Sequence, residues 1–309
     1  MKLIFAGTTT NAVDVLRYLV EQERHEICAV VTREDAPVGR KQILTASAVA
    51  EYAQGKGLRV IKANRITSEI DAELATMGAD LGLVIAYGAL LRARTLSIAK
   101  NGWINIHYSL LPKWRGAAPV QRALMAGERE TGVSIFQLDE GMDTGGLLMQ
   151  VPTAIETDDN SQTLLDRLTR VAISMLDETL SLIDSGLATP HTQEGEPSHA
   201  AKLARVDARI DWSLSARQVE NLVRGAFSEP VAWTELDGES FRVLGARASE
   251  FQSQELADAS VGQAKLVEGK ALVKTGAGFL QLLEVQPASK NAMPAVDWLR
   301  GKNGTVIFD

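Results

Sequence analysis

The 309-residue sequence has a single cysteine, Cys28, which excludes an internal disulfide and a cysteine-based zinc site. Cys28 lies in the apolar run Ile27-Cys28-Ala29-Val30-Val31, a setting for a small core residue rather than a nucleophile. A reducing cytoplasm fits that count. No run of about 18 apolar residues occurs, so no part is expected to span a membrane. The opening Met1-Lys2-Leu3-Ile4-Phe5-Ala6-Gly7 is too short and too soon interrupted for a signal peptide, and reads as a buried first strand. The histidines, His25, His107, His191 and His199, are scattered with no carboxylate at ligand spacing, so no metal site is expected. An excess of positive charge is missing too. A formal net charge of −7 argues against nonspecific coating of nucleic acid while leaving room for a local basic patch.

What is present is a chain with 45% hydrophobic residues, enough for a sizeable core and, at this length, for two domains. Short apolar runs at 2–6, 25–31, 58–62, 80–86 and 103–107 alternate with amphipathic stretches at 11–22, 46–56 and 68–77. Strand, helix and strand in turn predict right-handed parallel crossovers with helices on both faces. Ligands in such sheets bind beyond the carboxyl ends of the strands, which directs attention to Ala6, Ala86 and Asn105. Two more strands, 131–138 and 146–155, precede a long helix that begins near Ser161, is capped by Asp158-Asp159-Asn160 and ends at Gly186. Residues 187–204, with Pro190, Gly195 and Pro197, read as a linker between a first domain of 1–186 and a second of 205–309. After one helix at 215–225, short β-runs at 231–236, 240–248, 262–267, 271–275 and 279–286 follow, with hairpin signals Asp237-Gly238 and Glu268-Gly269. About five strands with glycine-rich turns suit a small, OB-like β-barrel. Twelve Lys/Arg against fourteen Asp/Glu from Arg205 onward do not by themselves announce RNA.

Four constellations carry polar chemistry. The glycine after the first strand, in Gly7-Thr8-Thr9-Thr10-Asn11, lacks the second and third glycines of a dinucleotide fingerprint; a helix cap at Thr10 or Asn11 explains it better. Asn105 and His107 sit two apart at a strand end and point the same way. An amide donor beside an imidazole suits a carbonyl oxygen that gains charge as an amine attacks, and it equally suits backbone satisfaction in a tight loop. In Asp139-Glu140-Gly141-Met142-Asp143-Thr144-Gly145-Gly146, Asp143 could support His107 or relay a proton, or the segment could be an ordinary hairpin turn. The loop 33–41 ends in Arg40 and Lys41, which would meet a polyanion or simply face water.

Together these segments resemble the methionyl-tRNA formyltransferase family over nearly the whole chain. The resemblance is carried by Phe5-Ala6-Gly7-Thr8, Val84-Ile85-Ala86-Tyr87-Gly88, Asn105-Ile106-His107, Ser109-Leu110-Leu111-Pro112, the run from Trp114-Arg115-Gly116 to Gln121, Glu130-Thr131-Gly132-Val133 and Asp143-Thr144-Gly145. In the second half, Ala208-Arg209-Ile210-Asp211-Trp212 and Leu283-Glu284-Val285-Gln286-Pro287-Ala288 look like the family too. The resemblance implies an α/β fold, with a Rossmann-like parallel or mixed sheet in the catalytic domain and a C-terminal β-barrel that binds tRNA. It implies 10-formyltetrahydrofolate as donor, with no metal, and the α-amine of methionyl-initiator tRNA as acceptor, in a cytoplasmic monomer. Asn105, His107 and Asp143 match the catalytic triad. Tyr87, Gly88, Ser109, Leu110, Leu111 and Pro112 match segments that shape the folate pocket, and Arg40 with Lys41 matches a basic loop that reaches the tRNA. Where the family usually has proline and then phenylalanine after Gly7-Thr8, this chain has Thr9 and Asn11; Ser228-Glu229-Pro230 and Asn291 are further departures.

Other readings fit less of the chain. A formyl-folate hydrolase or a nucleotide-sugar amine formyltransferase shares the chemistry. A glycinamide ribonucleotide enzyme leaves the last third unexplained. A noncatalytic RNA-binding protein sits badly with retention of Asn105, His107 and Asp143 together, and a dinucleotide dehydrogenase with the missing glycines.

Overall fold

The computed structural model describes every residue except 40, 252–255 and 257. The chain divides into two compact units. The first holds Met1–Pro119, Glu130–Ala154 and Leu165–Ala200; the second holds Val120–Arg129, Ile155–Leu164 and Ala201–Asp309.

In chain order the elements up to Ala200 are β1 (Lys2–Gly7), α1 (Thr10–Gln22), β2 (Glu26–Thr32), β3 (Ala36–Val38), β4 (Ile43–Thr45), α2 (Ala48–Gly55), β5 (Val60–Lys62), α3 (Ser68–Ala75), β6 (Leu81–Ile85), α4 (Ala93–Leu96), β7 (Trp103–His107), β8 (Arg115–Gly116), α5 (Pro119–Met125), β9 (Glu130–Gln137), β10 (Leu147–Ala154), α6 (Ser161–Asp184) and β11 (His199–Ala200). The main sheet runs β10-β9-β7-β6-β1-β2-β5. From β7 to β5 the pairs are parallel, while β9 and β10 add antiparallel at the other edge. The chain moves outward from β1 to β2 and β5, then returns across β1 to β6 and β7. This Rossmann-like order puts the switch point between β1 and β6, with the ends of β1, β6 and β7 along one edge.

Sequence explains the elements locally. In β1 every residue after Lys2 is buried, and β6 is buried throughout, as interior parallel strands should be. Gly82 in β6 is required by Trp103: a Cβ there would lie 2.0 Å from the indole, which is fully buried and donates Nε1–H to the Thr95 carbonyl at 2.8 Å. Ser47 caps α2 by accepting the Ala50 N–H, and Asn160 caps α6 by accepting from Gln162 and Thr163. Along α6, Leu164, Leu168, Ala172, Met175, Leu176, Leu180 and Ile183 form a buried stripe at helical spacing, flanked by half-buried Leu165 and Val171. Beyond α6, Gly186 is left-handed at φ 71°, and Leu187 N–H reaches back to the Leu182 carbonyl at 2.9 Å. Capping of α1 differs from expectation. The cap is Thr9, with no side-chain bond to the helix backbone, because Asn11 is buried and donates Nδ2–H to the Tyr108 hydroxyl at 2.9 Å. The β3–β4 hairpin inside the basic loop, α4, α5 and the β8–β11 pair were not anticipated; pieces this short carry too little periodicity.

The second unit contains a 3₁₀ turn (Arg205–Ala208), α7 (Ala216–Gly225), β12 (Trp233–Leu236), β13 (Glu239–Ser249), β14 (Gln263–Val267), β15 (Lys270–Lys274), β16 (Phe279–Gln286), β17 (Met293–Pro294), α8 (Ala295–Arg300) and β18 (Thr305–Ile307). Its antiparallel sheet runs β12-β13-β16-β15-β14-β18, with β17 on β16. Both expected hairpins form: Asp237-Gly238 and Glu268-Gly269 have positive φ at both positions, the requirement of a type I′ turn. Irregular register between β13 and β16 around Gly245 bends the sheet. Past β18, Asp309 N–H donates to the Glu235 carbonyl of β12 at 3.1 Å, bringing the two ends of the sheet into a nearly closed barrel. Inside it, Trp212, Phe241, Trp298 and Phe308 form one aromatic cluster with ring centroids 4.5–5.9 Å apart.

Candidate active site

β7 ends at the carboxyl edge of the sheet with Asn105 and His107 two residues apart on one face. His107 is buried, and its Nε2 lies 2.9 Å from the Trp114 carbonyl. A carbonyl only accepts, so Nε2 carries the hydrogen and the neutral ring presents a lone pair at Nδ1. Nδ1 is 3.8 Å from Asp143 Oδ2, close enough for charge attraction though beyond direct hydrogen-bond reach. Burial lowers the His107 pKa below its ordinary 6.5, and Asp143 and the Trp114 carbonyl pull the other way without reversing the shift. The resting imidazole is therefore neutral at neutral pH. Asn105 Oδ1 is buried without a hydrogen-bond partner. A buried acceptor left open at a ligand-binding edge can take a hydrogen from a bound molecule.

Asp143 sits between β9 and β10, left-handed at φ 53°. Its Oδ2 accepts the Gly116 N–H at 2.7 Å, and its own carbonyl accepts from Gln193 Nε2 at 2.8 Å. Gln193 Nε2 also donates to the Gly145 carbonyl at 2.8 Å, while Gln193 Oε1 accepts from Arg115 Nε and Nη2 at 3.1 and 2.6 Å. Gly145 has no room for a side chain, since a Cβ would lie 1.7 Å from the Gln137 carbonyl. The structure thus brings His107 and Asp143 together from separate loops, with Asn105 beside His107 on β7. Sequence reading passed over Gln193, which falls in a Pro- and Gly-bearing stretch read as linker; the glycines around Asp143 were the signal that something packs closely there.

The six residues expected at the folate pocket leave the ends of adjacent strands β6 and β7. Tyr87 is buried, donates its hydroxyl to the Ala63 carbonyl at 2.7 Å, and has its pKa pushed up to about 12 by burial. Ser109 is buried and donates Oγ–H to the Lys113 carbonyl at 2.6 Å; Leu111 and Pro112 are buried as well. Gly88 (φ 83°) is exposed and Leu110 half-buried, so these two retain surface for a ligand. Two residues missed in the sequence hold this loop. Ser134 Oγ donates to the Ser109 carbonyl at 2.6 Å and accepts the Leu111 N–H at 3.1 Å, and Gln150 Nε2 donates to the Leu111 carbonyl at 2.9 Å. Lys41 is exposed on the turn between β3 and β4, and Arg40 lies outside the described residues. Among the described residues, no group of three or more His, Cys, Asp or Glu could hold a metal ion, and no helix is long and apolar enough to cross a membrane.

Fold and site together define a class. Residues 1–180 match the family pattern described as formyl transferase, and residues 202–303 match that of the formyl transferase C-terminal domain. The chain belongs to the formyl transferase family. Within it, the chain is similar to methionyl-tRNA formyltransferases: that of Leifsonia xyli subsp. xyli is 42% identical over 309 residues, covering 100% of both chains. That of Clavibacter sepedonicus is 42% identical over 301 residues, covering 97% of each. Among solved structures, an N-formyltransferase from Helicobacter canadensis, in complex with folinic acid and dTDP-3-aminofucose, has TM-score 0.69 at 18% identity, covering 93% of this chain and 99% of that one. The methionyl-tRNA formyltransferase from Clostridium thermocellum has TM-score 0.58 at 14% identity, covering 82% of this chain and 95% of that one. At such identities these structures speak to the fold alone.

Proposed function

We propose that this chain transfers the formyl group of 10-formyltetrahydrofolate to the α-amine of methionyl-initiator tRNA. The observation that carries the choice of acceptor is full-length similarity: 42% identity to a methionyl-tRNA formyltransferase over 309 residues, both domains included. The geometry around His107 supports the chemistry.

In this reading the uncharged amine attacks the formyl carbon, and negative charge collects on the formyl oxygen. Asn105, at the end of β7 beside His107, donates its Nδ2–H to that oxygen; such a donor is typically worth about 10²–10³ in rate. His107 Nδ1 takes the proton that the amine loses, directly or through one water, because its Nε2–H is already given to Trp114. Asp143, at 3.8 Å, stabilises the imidazolium that forms. The same proton then goes to the folate nitrogen as its bond to the formyl carbon breaks, which returns His107 to its neutral state. Gly88 and Leu110 offer the donor surface, while Tyr87, Ser109, Leu111 and Pro112 set the backbone around it. Lys41, with Arg40, approaches the phosphates of the acceptor, and the barrel domain of residues 205–309 binds the rest of the tRNA. In this reading the enzyme works as a cytoplasmic monomer.

The test supplies 10-formyltetrahydrofolate together with charged initiator tRNA, water alone, or a nucleotide-linked amino sugar. Formylated methionyl-tRNA is expected, with little consumption otherwise. Donor consumed equally in water alone, or formyl delivered only to the sugar, would overturn the reading in favour of a hydrolase or a sugar formyltransferase.

A further inference from the structure

Three consecutive residues, Trp114, Arg115 and Gly116, touch every part of the His107–Asp143 pair. The Trp114 carbonyl holds the imidazole, the Gly116 N–H holds the carboxylate, and Arg115 holds Gln193, which holds the main chain at Asp143. The orientation of the Gln193 amide is dictated chemically. A guanidinium only donates, so Oε1 must face Arg115, which leaves both amide hydrogens for the carbonyls of Asp143 and Gly145. Gln193 is itself held in place. His191 and Leu147 exchange backbone hydrogen bonds at 2.7 and 2.8 Å, and Ser198 accepts the Trp114 N–H on its Oγ and the Arg115 N–H on its carbonyl. The Asp143 loop, by contrast, is exposed at Gly141, Met142 and Thr144, and among the described residues its internal side-chain ties run to Asp139 Oδ1.

We propose that Gln193, oriented by Arg115, is a positioning residue for formyl transfer: it fixes the Asp143 loop so that the carboxylate faces His107. The proposal rests on the formyl-transfer reading for its effect on rate, but its geometric content stands apart. The segment that carries Gln193 is then part of the catalytic apparatus rather than a passive connection. Asp143 is the charged group that acts on His107, so any loosening of the loop weakens the one negative charge that favours the imidazolium.

The experiment compares wild type with Gln193→Met, which keeps length but loses both hydrogens and the acceptor, and with Gln193→Glu, which keeps the Arg115 pairing but turns an acceptor toward the two carbonyls. Single-turnover transfer should fall on the order of 10²-fold in both, with donor affinity unchanged, because a displacement of about 1 Å suffices for such a loss. Adding Arg115→Ala to Gln193→Met should cost little more, since both act through one contact. Nitrogen-15 NMR of labelled histidine, with His107 assigned by His107→Gln, should show its titration midpoint moving down in Gln193→Met, in the direction produced by Asp143→Asn. Wild-type rates in both variants, or slow transfer with His107 titrating as in wild type, would overturn the proposal. If one variant fails to fold, the other decides. If the unmodified protein formylates no tRNA, the functional reading falls, while the NMR titration still decides whether Gln193 positions Asp143.

Discussion

The two units handle buried polar atoms in opposite ways. In the barrel, polar groups inside the core are matched: Trp212 Nε1–H donates to Thr234 Oγ1 at 3.0 Å, and Thr234 passes its own hydrogen to the Asp309 carbonyl at 3.1 Å. The Trp212 ring itself packs with Phe241, Trp298 and Phe308 in one aromatic cluster. In the α/β unit lie all three of the buried side-chain atoms found without a partner among the described residues, Tyr52 Oη, Asn105 Oδ1 and Thr131 Oγ1. A buried group left unpaired costs about 1–3 kcal/mol. The barrel core is therefore the more fully satisfied of the two, and of the three atoms in the α/β unit one belongs to Asn105, beside His107 on β7.

That contrast can be broken or sharpened by substitution. The largest effect belongs to the barrel. Trp298→Ala should cost about 3–5 kcal/mol of stability by chemical denaturation, while the catalytic rate of the folded fraction stays near wild type. A comparable loss of rate in still-folded protein would erase the distinction between the units. Next comes Gly145→Ala, whose new methyl must displace the Gln137 carbonyl; about 1–3 kcal/mol of destabilisation should accompany slowed transfer, since the same shift moves Asp143. Retained rate would show that the loop tolerates rearrangement.

A smaller effect concerns acid. Folded His107 titrates below its ordinary 6.5, chiefly through burial, so the unfolded chain binds the more protons between that lowered value and 6.5. Stability present above pH 6.5 is thus lost as pH falls through this window, and His107→Gln should lose less than wild type when unfolding is measured on either side of it. Transfer should decline over the same range as the proton acceptor is filled. Identical acid profiles in the two proteins would contradict the buried neutral state. The smallest effect is Lys41→Ala, which should reduce the salt dependence of tRNA affinity by about one unit of slope; an unaltered slope would mean no phosphate contact.

Much of the architecture was legible because it rests on periodicity. β7 forms over residues 103–107 as read, and Asp237-Gly238 and Glu268-Gly269 turn their hairpins as their chemistry demands. The β3–β4 hairpin was not, because each of its strands has three residues and all six side chains are exposed. At the site, Asn105 and His107 could be paired by their spacing along a strand. The approach of Asp143 to His107 is long-range in sequence, and the residues alone left it open against an ordinary hairpin turn until the resemblance favoured it. Gln193 was hidden for a further reason: a segment that binds through one amide and a few backbone groups has no apolar pattern to betray it. Asn105 shows the limit of sequence most clearly, since an amide that satisfies a loop and an amide left free for a substrate look alike until every partner is counted.

Asn105→Leu, which keeps the volume but removes the amide, puts the claim to its most direct test when single-turnover transfer to methionyl-tRNA and thermal stability are measured on the same sample. Transfer slowed by about 10²–10³, in a protein at least as stable as wild type, is the expected pairing. An undiminished rate in a less stable protein would show that the amide serves the fold and not the reaction.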